Sequence, residues 1–340
     1  MAGRSQARRS RAQRVVPFGR DVFTKTLRPA ILAAGRSRGL QHTAERLPVT
    51  RSVVQRFVPG ATLDTVLDST AILRDSGRLV SIDYLGEQVT DADGANATLT
   101  AYLHLLDALG RRPDAIHDGV RPLEVSLKLS ALGQALSCDG ERIALAYAHR
   151  ICERAEQVGA WVTLDAEDHT TTDSTLWIAA ELRTDYPRLG VVLQAHLRRT
   201  LGDCEQFAAS AARVRLCKGA YDEPASVAHR DAAAVTASYV RCLRVLMAGP
   251  GYPMIASHDP VIIDAVPALA RETGRSANDF EYQMLYGVRD PEQRRLAGAG
   301  NRVRVYVPFG TQWYGYFMRR LAERPANLRF FMRALAERGH

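Results

Sequence analysis

The sequence predicts an α/β fold, a distorted (β/α)8 TIM-type barrel preceded by a helical arm. Two observations carry this expectation. From residue 79 onward, short β-branched or apolar runs alternate with longer amphipathic segments, the pattern of βα units around a parallel sheet. The runs number eight, the count that closes such a barrel, and they occupy residues 79–323, close to the fold's typical length of about 250 residues.

In chain order the runs are LVSIDYLG (79–86), LEVSLKLS (123–130), WVTLDAE (161–167), LGVVLQAH (189–196), RVRLCKGA (213–220), YPMIASHD (252–259), FEYQMLYG (280–287) and RVRVYVPFG (302–310). Between them lie helical segments. Residues 139–158 place Ile143, Ala146, Tyr147 and Ile151 on one stripe and stop at Gly159. A second helix runs from about 228 to 247 and ends before Gly249 and Pro250, which cannot continue it. The organisation expected is a basic, disordered tail (1–20), a helical arm (21–78) with LDTVLDSTAILRDSG as its clearest helix, and a catalytic barrel with C-terminal helices (79–340). An open doubly wound sheet is the second reading of the same alternation.

Of 340 residues, 46% are hydrophobic and 24% charged, an ordinary globular balance that excludes collagen-like repeats, coiled coils and long disorder. The net charge of +8 invites a nucleic-acid reading. However, Arg4, Arg8, Arg9, Arg11, Arg14 and Arg20 sit in the first 20 residues, which hold no acid, so only +2 remains for residues 21–340. A nucleic-acid partner is therefore not expected of the catalytic body. The tail reads as a transit peptide, as a basic arm for anionic lipid or nucleic acid, or as a disordered start, the commonest case. No run of about 18 apolar residues spans a membrane. The five cysteines are odd in number and form no CxxC pair, which points to reduced thiols in a cytoplasmic compartment and away from a zinc site.

Active sites of such barrels form at the C-terminal strand ends. Lys128, Asp165, Gln194, Arg215 with Lys218, His258, Gln283 and Tyr306 all fall late in their runs. A single polar residue there is usually a satisfied loop contact, but a series drawn from nearly every strand is hard to explain that way. Only Lys25, Lys128 and Lys218 are lysines among the 45 basic residues. Two of the three lie at strand ends, which suggests that a compact ammonium is needed there, with chance as the plain alternative. After the last run, GTQWYGYFM leads into Arg319 and Arg320. Glu323 lies one turn beyond Arg319, on the same helix face, and can support its guanidinium. Both arginines can reach one carboxylate. In an arginine-rich chain an RR pair is often a solvated face, but the preceding Trp313, Tyr314, Tyr316 and Phe317 imply an apolar, partly closed setting. Neither a phosphate loop nor a complete GxGxxG follows a strand, so a dinucleotide would bind on the barrel itself.

The ordered blocks VSLKLSALG, LDAED, VLQAH, VRLCKGAY, ASHD, EYQMLYG, VYVPFG and WYGYFMRRLAERPAN resemble the monofunctional, FAD-dependent proline dehydrogenases over about residues 79–335. The resemblance implies a flavoenzyme that oxidises L-proline to Δ1-pyrroline-5-carboxylate by hydride transfer from C5 to FAD N5. It implies that Lys128, Arg319 and Arg320 bind the substrate carboxylate, that Asp165 orients Lys128, and that Tyr306, Tyr316 and Leu285 wall the proline ring. Arg215 would lie beside flavin N5, Gln194 at the ring edge, and Ala166, Lys218, Gly219, Ala220, Ser257 and His258 would hold the rest of FAD. Cys217 stands where a small aliphatic residue is common and reads as packing. The chain leaves no room for the aldehyde dehydrogenase module of bifunctional relatives, so a separate pyrroline-5-carboxylate dehydrogenase would consume the product. A membrane quinone would accept the electrons, with the protein cytoplasmic or peripheral at the inner membrane face.

Two other enzyme readings compete. A Schiff-base lyase or aldolase would use Lys128 or Lys218 as nucleophile but leaves the arginine pair unexplained. A metal-dependent hydrolase would use Asp165, His169, His196, His258 and Asp259, but the first strand lacks an HxH.

Overall fold

A computed structural model describes residues 27–35, 54–86, 89–111 and 119–323. All eight runs form strands: β1 (Leu79–Tyr84), β2 (Leu123–Leu127), β3 (Trp161–Leu164), β4 (Gly190–Gln194), β5 (Arg213–Cys217), β6 (Tyr252–Ala256), β7 (Glu281–Leu285) and β8 (Val303–Phe309). They pair in parallel in sequence order, and β8 closes on β1. A closed sheet has no edge, so the doubly wound alternative is excluded. The described helices are α1 (Arg28–Ala34), α2 (Leu63–Asp75), α3 (Ala92–Gly110), α4 (Gly140–Val158), α5 (Thr172–Asp185), α6 (Thr200–Ala209), α7 (Ala232–Ala248), α8 (Pro260–Thr273), α9 (Asp290–Gly298) and α10 (Trp313–Glu323). The basic tail lies outside the described residues.

Local signals set the helix limits. Helix α7 begins at Ala232 rather than 228 because the Asp231 carboxylate accepts from the Ala234 N–H at 2.8 Å and caps the first turn. Helix α4 ends at Gly159, whose φ of 75° is the left-handed conformation that glycine tolerates. Its buried stripe runs through Ala144, Ala148, Ile151, Cys152 and Ala155, while Ala146 is exposed. The expected stripe was thus rotated: small side chains let this helix approach the strands, and Ile143 and Tyr147 sit at the margin.

Period-two alternation sorts each strand into two faces. Val80, Ile82, Val125, Leu127, Val214, Leu216, Val303 and Val305 are buried in the shared apolar core with the helices. The opposite residues face the lumen, which is charged. Arg213 and Arg215 on β5 both contact Glu124 on β2, two strands away from being its neighbour, so these bonds cross the interior. Arg304 pairs with Glu281 at 2.7 Å, both fully buried, and Arg213 lies 3.7 Å over the Trp161 ring. Where barrels of this class usually stack branched apolar side chains, this one stacks ion pairs.

Burial opposes the ionised form of Glu124, but Arg213, Arg304 and Arg215 together outweigh it and hold the carboxyl well below the usual range. Glu124→Gln leaves two buried guanidiniums short of a counter-ion and is expected to lower the unfolding free energy by about 3–5 kcal/mol. Because the folded value is depressed, the stabilisation from Glu124 is present above the ordinary value of 4.5 and lost as pH falls below it. Urea titrations across that range are expected to show a shallower acid slope for Glu124→Gln than for the parent.

Candidate functional site

The strand register brings the predicted polar series to one end of the lumen. Arg215 lies at its centre. Its Nη1 donates to Asp165 and Ser126 at 2.7 Å each, its Nη2 to Glu124 at 2.6 Å and Ser81 at 3.1 Å, and its Nε to Gln283. All five guanidinium hydrogens therefore meet acceptors from β1, β2, β7 and the residue that follows β3. Burial works against its charge, but Glu124 and Asp165 keep it protonated, with its pKa raised.

One layer above, Asp165 accepts the Tyr306 O–H at 2.7 Å. Burial and the neighbouring Asp165 and Asp83 charges push the Tyr306 phenol well above its usual range, so it remains a donor. Lys128, just past β2, is buried. Its Nζ lies 3.4 Å from the Tyr306 hydroxyl, 3.8 Å from Asp165 and 2.5 Å from Asp83. Asp165 thus lies within ion-pair distance of this lysine, as the orienting role requires. The structure gives the closer contact to Asp83 and commits the Asp165 oxygens to Arg215, Ser126 and Tyr306.

The apolar half comes from outside the strands. Tyr316 and Phe317 on α10 share a cluster with Leu85, Val288 and the arm residues Val54, Phe57 and Val58, and Leu285 and Tyr306 pack against it. Thus the three predicted wall residues, Tyr306, Tyr316 and Leu285, do converge. Arg320 is buried, with its guanidinium 4.9 Å from the Tyr316 ring centroid, and Arg319 beside it is half-buried. Glu323 ends α10, but its side chain lies outside the described residues. Part of the helical arm, through Val54, Phe57 and Val58, thus reaches this cluster. Gly287 meets the Arg56 carbonyl so closely that a Cβ would lie 1.6 Å from its oxygen.

The rim after β3 to β6 holds the remaining predicted residues. Gln194 donates to the Glu167 carbonyl at 2.7 Å, and Glu167 in turn accepts from the Ser130 N–H at 3.1 Å and hydroxyl at 2.5 Å. Ala166 is half-buried beside Asp165. Lys218 donates to Asp259 at 2.5 Å and Thr236 at 2.8 Å, with its side chain 32% exposed. Gly219 has a φ of 101° and lies against the His196 ring, which a Cβ would meet at 2.5 Å, so only glycine fits ahead of Ala220. Ser257 accepts from the Asp259 N–H at 3.1 Å, and His258 Nε2 accepts from the Leu285 N–H at 2.9 Å. Cys217 donates to the Leu193 carbonyl, and burial pushes its thiol up to about 11, in keeping with a packing role.

Among the described residues no three His, Cys, Asp or Glu side chains are grouped to hold a metal. The residues of the hydrolase reading are engaged separately: Asp165 with Arg215, Asp259 with Lys218, and His169 with Glu223. Sequence reasoning missed Ser81, Asp83, Glu124, Ser126 and Glu281. The signal was the regular alternation of polar residues within LVSIDY, LEVSL and EYQML.

Tyr306→Phe removes a hydrogen bond to a buried carboxylate and is expected to cost about 1.5–3 kcal/mol of stability. In an Asp165→Asn background the same change should cost less, because the acceptor is no longer charged; a double-mutant cycle in urea measures the difference.

A model described as proline dehydrogenase matches residues 66–333. The chain is 36% identical over 289 residues to Proline dehydrogenase 1 of Bacillus subtilis subsp. natto, covering 85% of this chain and 92% of that one. It is 36% identical over 286 residues to Proline dehydrogenase of Deinococcus radiodurans, covering 84% and 90%. The fold is similar to that of proline utilization A (PutA) from Bdellovibrio bacteriovorus inactivated by N-propargylglycine, with a TM-score of 0.76 and 22% identity over 87% of this chain and 38% of that one. With a closed barrel, a polar site at its mouth and relatives matched over most of their length, this chain belongs to the proline dehydrogenase family of oxidoreductases.

Proposed function

We propose that the protein oxidises L-proline to Δ1-pyrroline-5-carboxylate with FAD as its cofactor, the first step of proline catabolism. The observation that carries the proposal is the juxtaposition, at one barrel mouth, of an aromatic and aliphatic wall (Tyr306, Tyr316, Leu285) with cations suited to a small amino acid's carboxylate (Lys128, Arg320). The rim fits FAD by its chemistry. A glycine bend at Gly219 allows close approach, Lys218 presents a partly exposed ammonium for an anionic tail, and Arg215 keeps a buried positive charge beneath the mouth. Ala166, Gln194, Ala220, Ser257 and His258 complete the set assigned to the cofactor. When bound, FAD would supply the two-electron acceptor for the hydride lost from proline C5.

The chain's own residues clamp, orient and exclude. Arg319, Arg320 and Lys128 hold the carboxylate, and Tyr306 and Tyr316 fix the ring, so that binding energy is spent on register. Arg215 would supply a positive charge toward the cofactor's reduced form. With its hydrogens all bound to protein acceptors, it contributes by charge and stays rigid. Glu323 is assigned the support of Arg319. The lyase reading is disfavoured because it leaves the arginine pair, with Arg320 buried against Tyr316, without a role.

A membrane quinone is the acceptor we assign, and a separate pyrroline-5-carboxylate dehydrogenase the consumer of product. Among the described residues no helix is long and apolar enough to cross a membrane. The Arg-rich tail is assigned to peripheral docking, where each cation near an anionic surface contributes about 1 kcal/mol. Removing residues 1–20 is expected to abolish binding to anionic vesicles and to spare turnover with a soluble acceptor.

The decisive measurement is the visible spectrum of purified protein before and after anaerobic L-proline. Bleaching of a flavin spectrum is expected; protein reconstituted with FAD that ignores proline overturns the proposal. Arg319→Met and Arg320→Met are each expected to raise KM for proline strongly with flavin retained. Release of FAD at unchanged substrate affinity would remove the carboxylate assignment.

A further inference from the structure

The carboxylate clamp contains a lysine whose charge needs an explanation. Lys128 is 7% exposed, and an ammonium buried to that extent tends to lose its proton unless a counter-ion holds it. Asp83, on β1, is wholly buried and lies 2.5 Å from its Nζ. Asp83 is itself fixed. The Tyr102 hydroxyl from α3 stands 3.4 Å from its Oδ1, while that hydroxyl donates to the Ser126 carbonyl at 2.6 Å and accepts from the Tyr84 N–H at 3.1 Å. Strand register also sets Asp83 directly beside Ser126, two residues before Lys128.

The other groups around the ammonium have different duties. Asp165, just past β3, is 3.8 Å away and binds Arg215 of β5, Ser126 of β2 and Tyr306 of β8; the Tyr306 phenol lies 3.4 Å from Nζ. Arg319 and Arg320 on α10 add positive charge at the mouth, which opposes a protonated lysine. Asp83 is therefore the close negative partner that offsets them.

We propose that Asp83 is a positioning residue for the substrate carboxylate: it holds the Lys128 ammonium charged and fixed in place at the end of β2. The inference rests on the carboxylate site proposed above. Asp83 and Lys128 contribute little net charge as a pair, so the arginines supply the attraction for the anion and the lysine supplies direction. The dependence is mutual. Burial pushes the Asp83 carboxyl above its ordinary range, and Lys128 pulls it back.

The test is calorimetric titration of the flavin-loaded protein with tetrahydrofuran-2-carboxylate, a ring carboxylate without an oxidisable amine, across a pH series. The parent is expected to bind with little pH dependence. In Asp83→Asn the lysine loses its proton at lower pH, and affinity should fall about tenfold per pH unit once that value is passed. Lys128→Met is expected to bind weakly at every pH and to show the same affinity with or without Asp83→Asn. A parent that fails to bind the carboxylate overturns the site reading itself. A parent that binds it, with Asp83→Asn keeping its affinity and flat profile, overturns only the role of Asp83. If Asp83→Asn is too unstable to titrate, the Lys128→Met pair decides: a further loss on adding Asp83→Asn to Lys128→Met shows that Asp83 does not act through the lysine, and equal affinities support the proposal.

Discussion

Arg215 sits where eight strands converge, and its guanidinium ties four of them together through the lumen. A cation so buried is costly unless every hydrogen is satisfied and a counter-ion is near. Glu124 and Asp165 meet that condition, and each is held in turn, Glu124 by Arg213 and Ser81, Asp165 by Ser126 and Tyr306. The site's geometry follows from this. Asp165 is aimed by Arg215, Tyr306 by Asp165, and the wall of the pocket therefore inherits its position from a salt bridge in the floor.

Such a lumen is a poor choice if stability alone is considered, since well-packed apolar residues of similar volume often do as well or better than buried ion pairs. Its advantage is definition. Branched aliphatic layers can repack, whereas a guanidinium with five directed bonds has one arrangement. The lower layer, Arg304 with Glu281 and Arg213 with Trp161, extends the same device below the site. The strands thus act in two ways at once: outward-facing valines, leucines and isoleucines bind the helices, and inward-facing charges align a cation and a carboxylate beneath the mouth.

The mouth itself is assembled from distant sequence. Arm residues 54–58, the ends of β1 and β7, and helix α10 share one apolar cluster, and the arginine pair is carried on that helix. Burial of Arg320 against Tyr316 shows how an RR dipeptide that would otherwise read as a solvated face becomes part of a closed site. Aromatic residues upstream of the pair were the only local sign of this.

The sequence by itself determined eight parallel strands alternating with helices, because eight apolar runs at regular spacing are each followed by an amphipathic segment, while the pairing of β8 with β1 that closes the barrel and excludes an open sheet is a tertiary contact. It also located Lys128 and Asp165 just past their strands, whereas Arg215 and Tyr306, read as late in their runs, lie in the middle of β5 and β8 and reach the site from within the lumen. The stripe on α4 was misplaced because alanines that permit close packing carry less hydrophobic signal than the larger residues at its margin. Only the tertiary structure decided which charges meet. Asp83 and Lys128 are 45 residues apart, and Glu124 and Arg215 are 91. Their contact is set by register around a closed barrel, a relation between strands that no single stretch of sequence encodes.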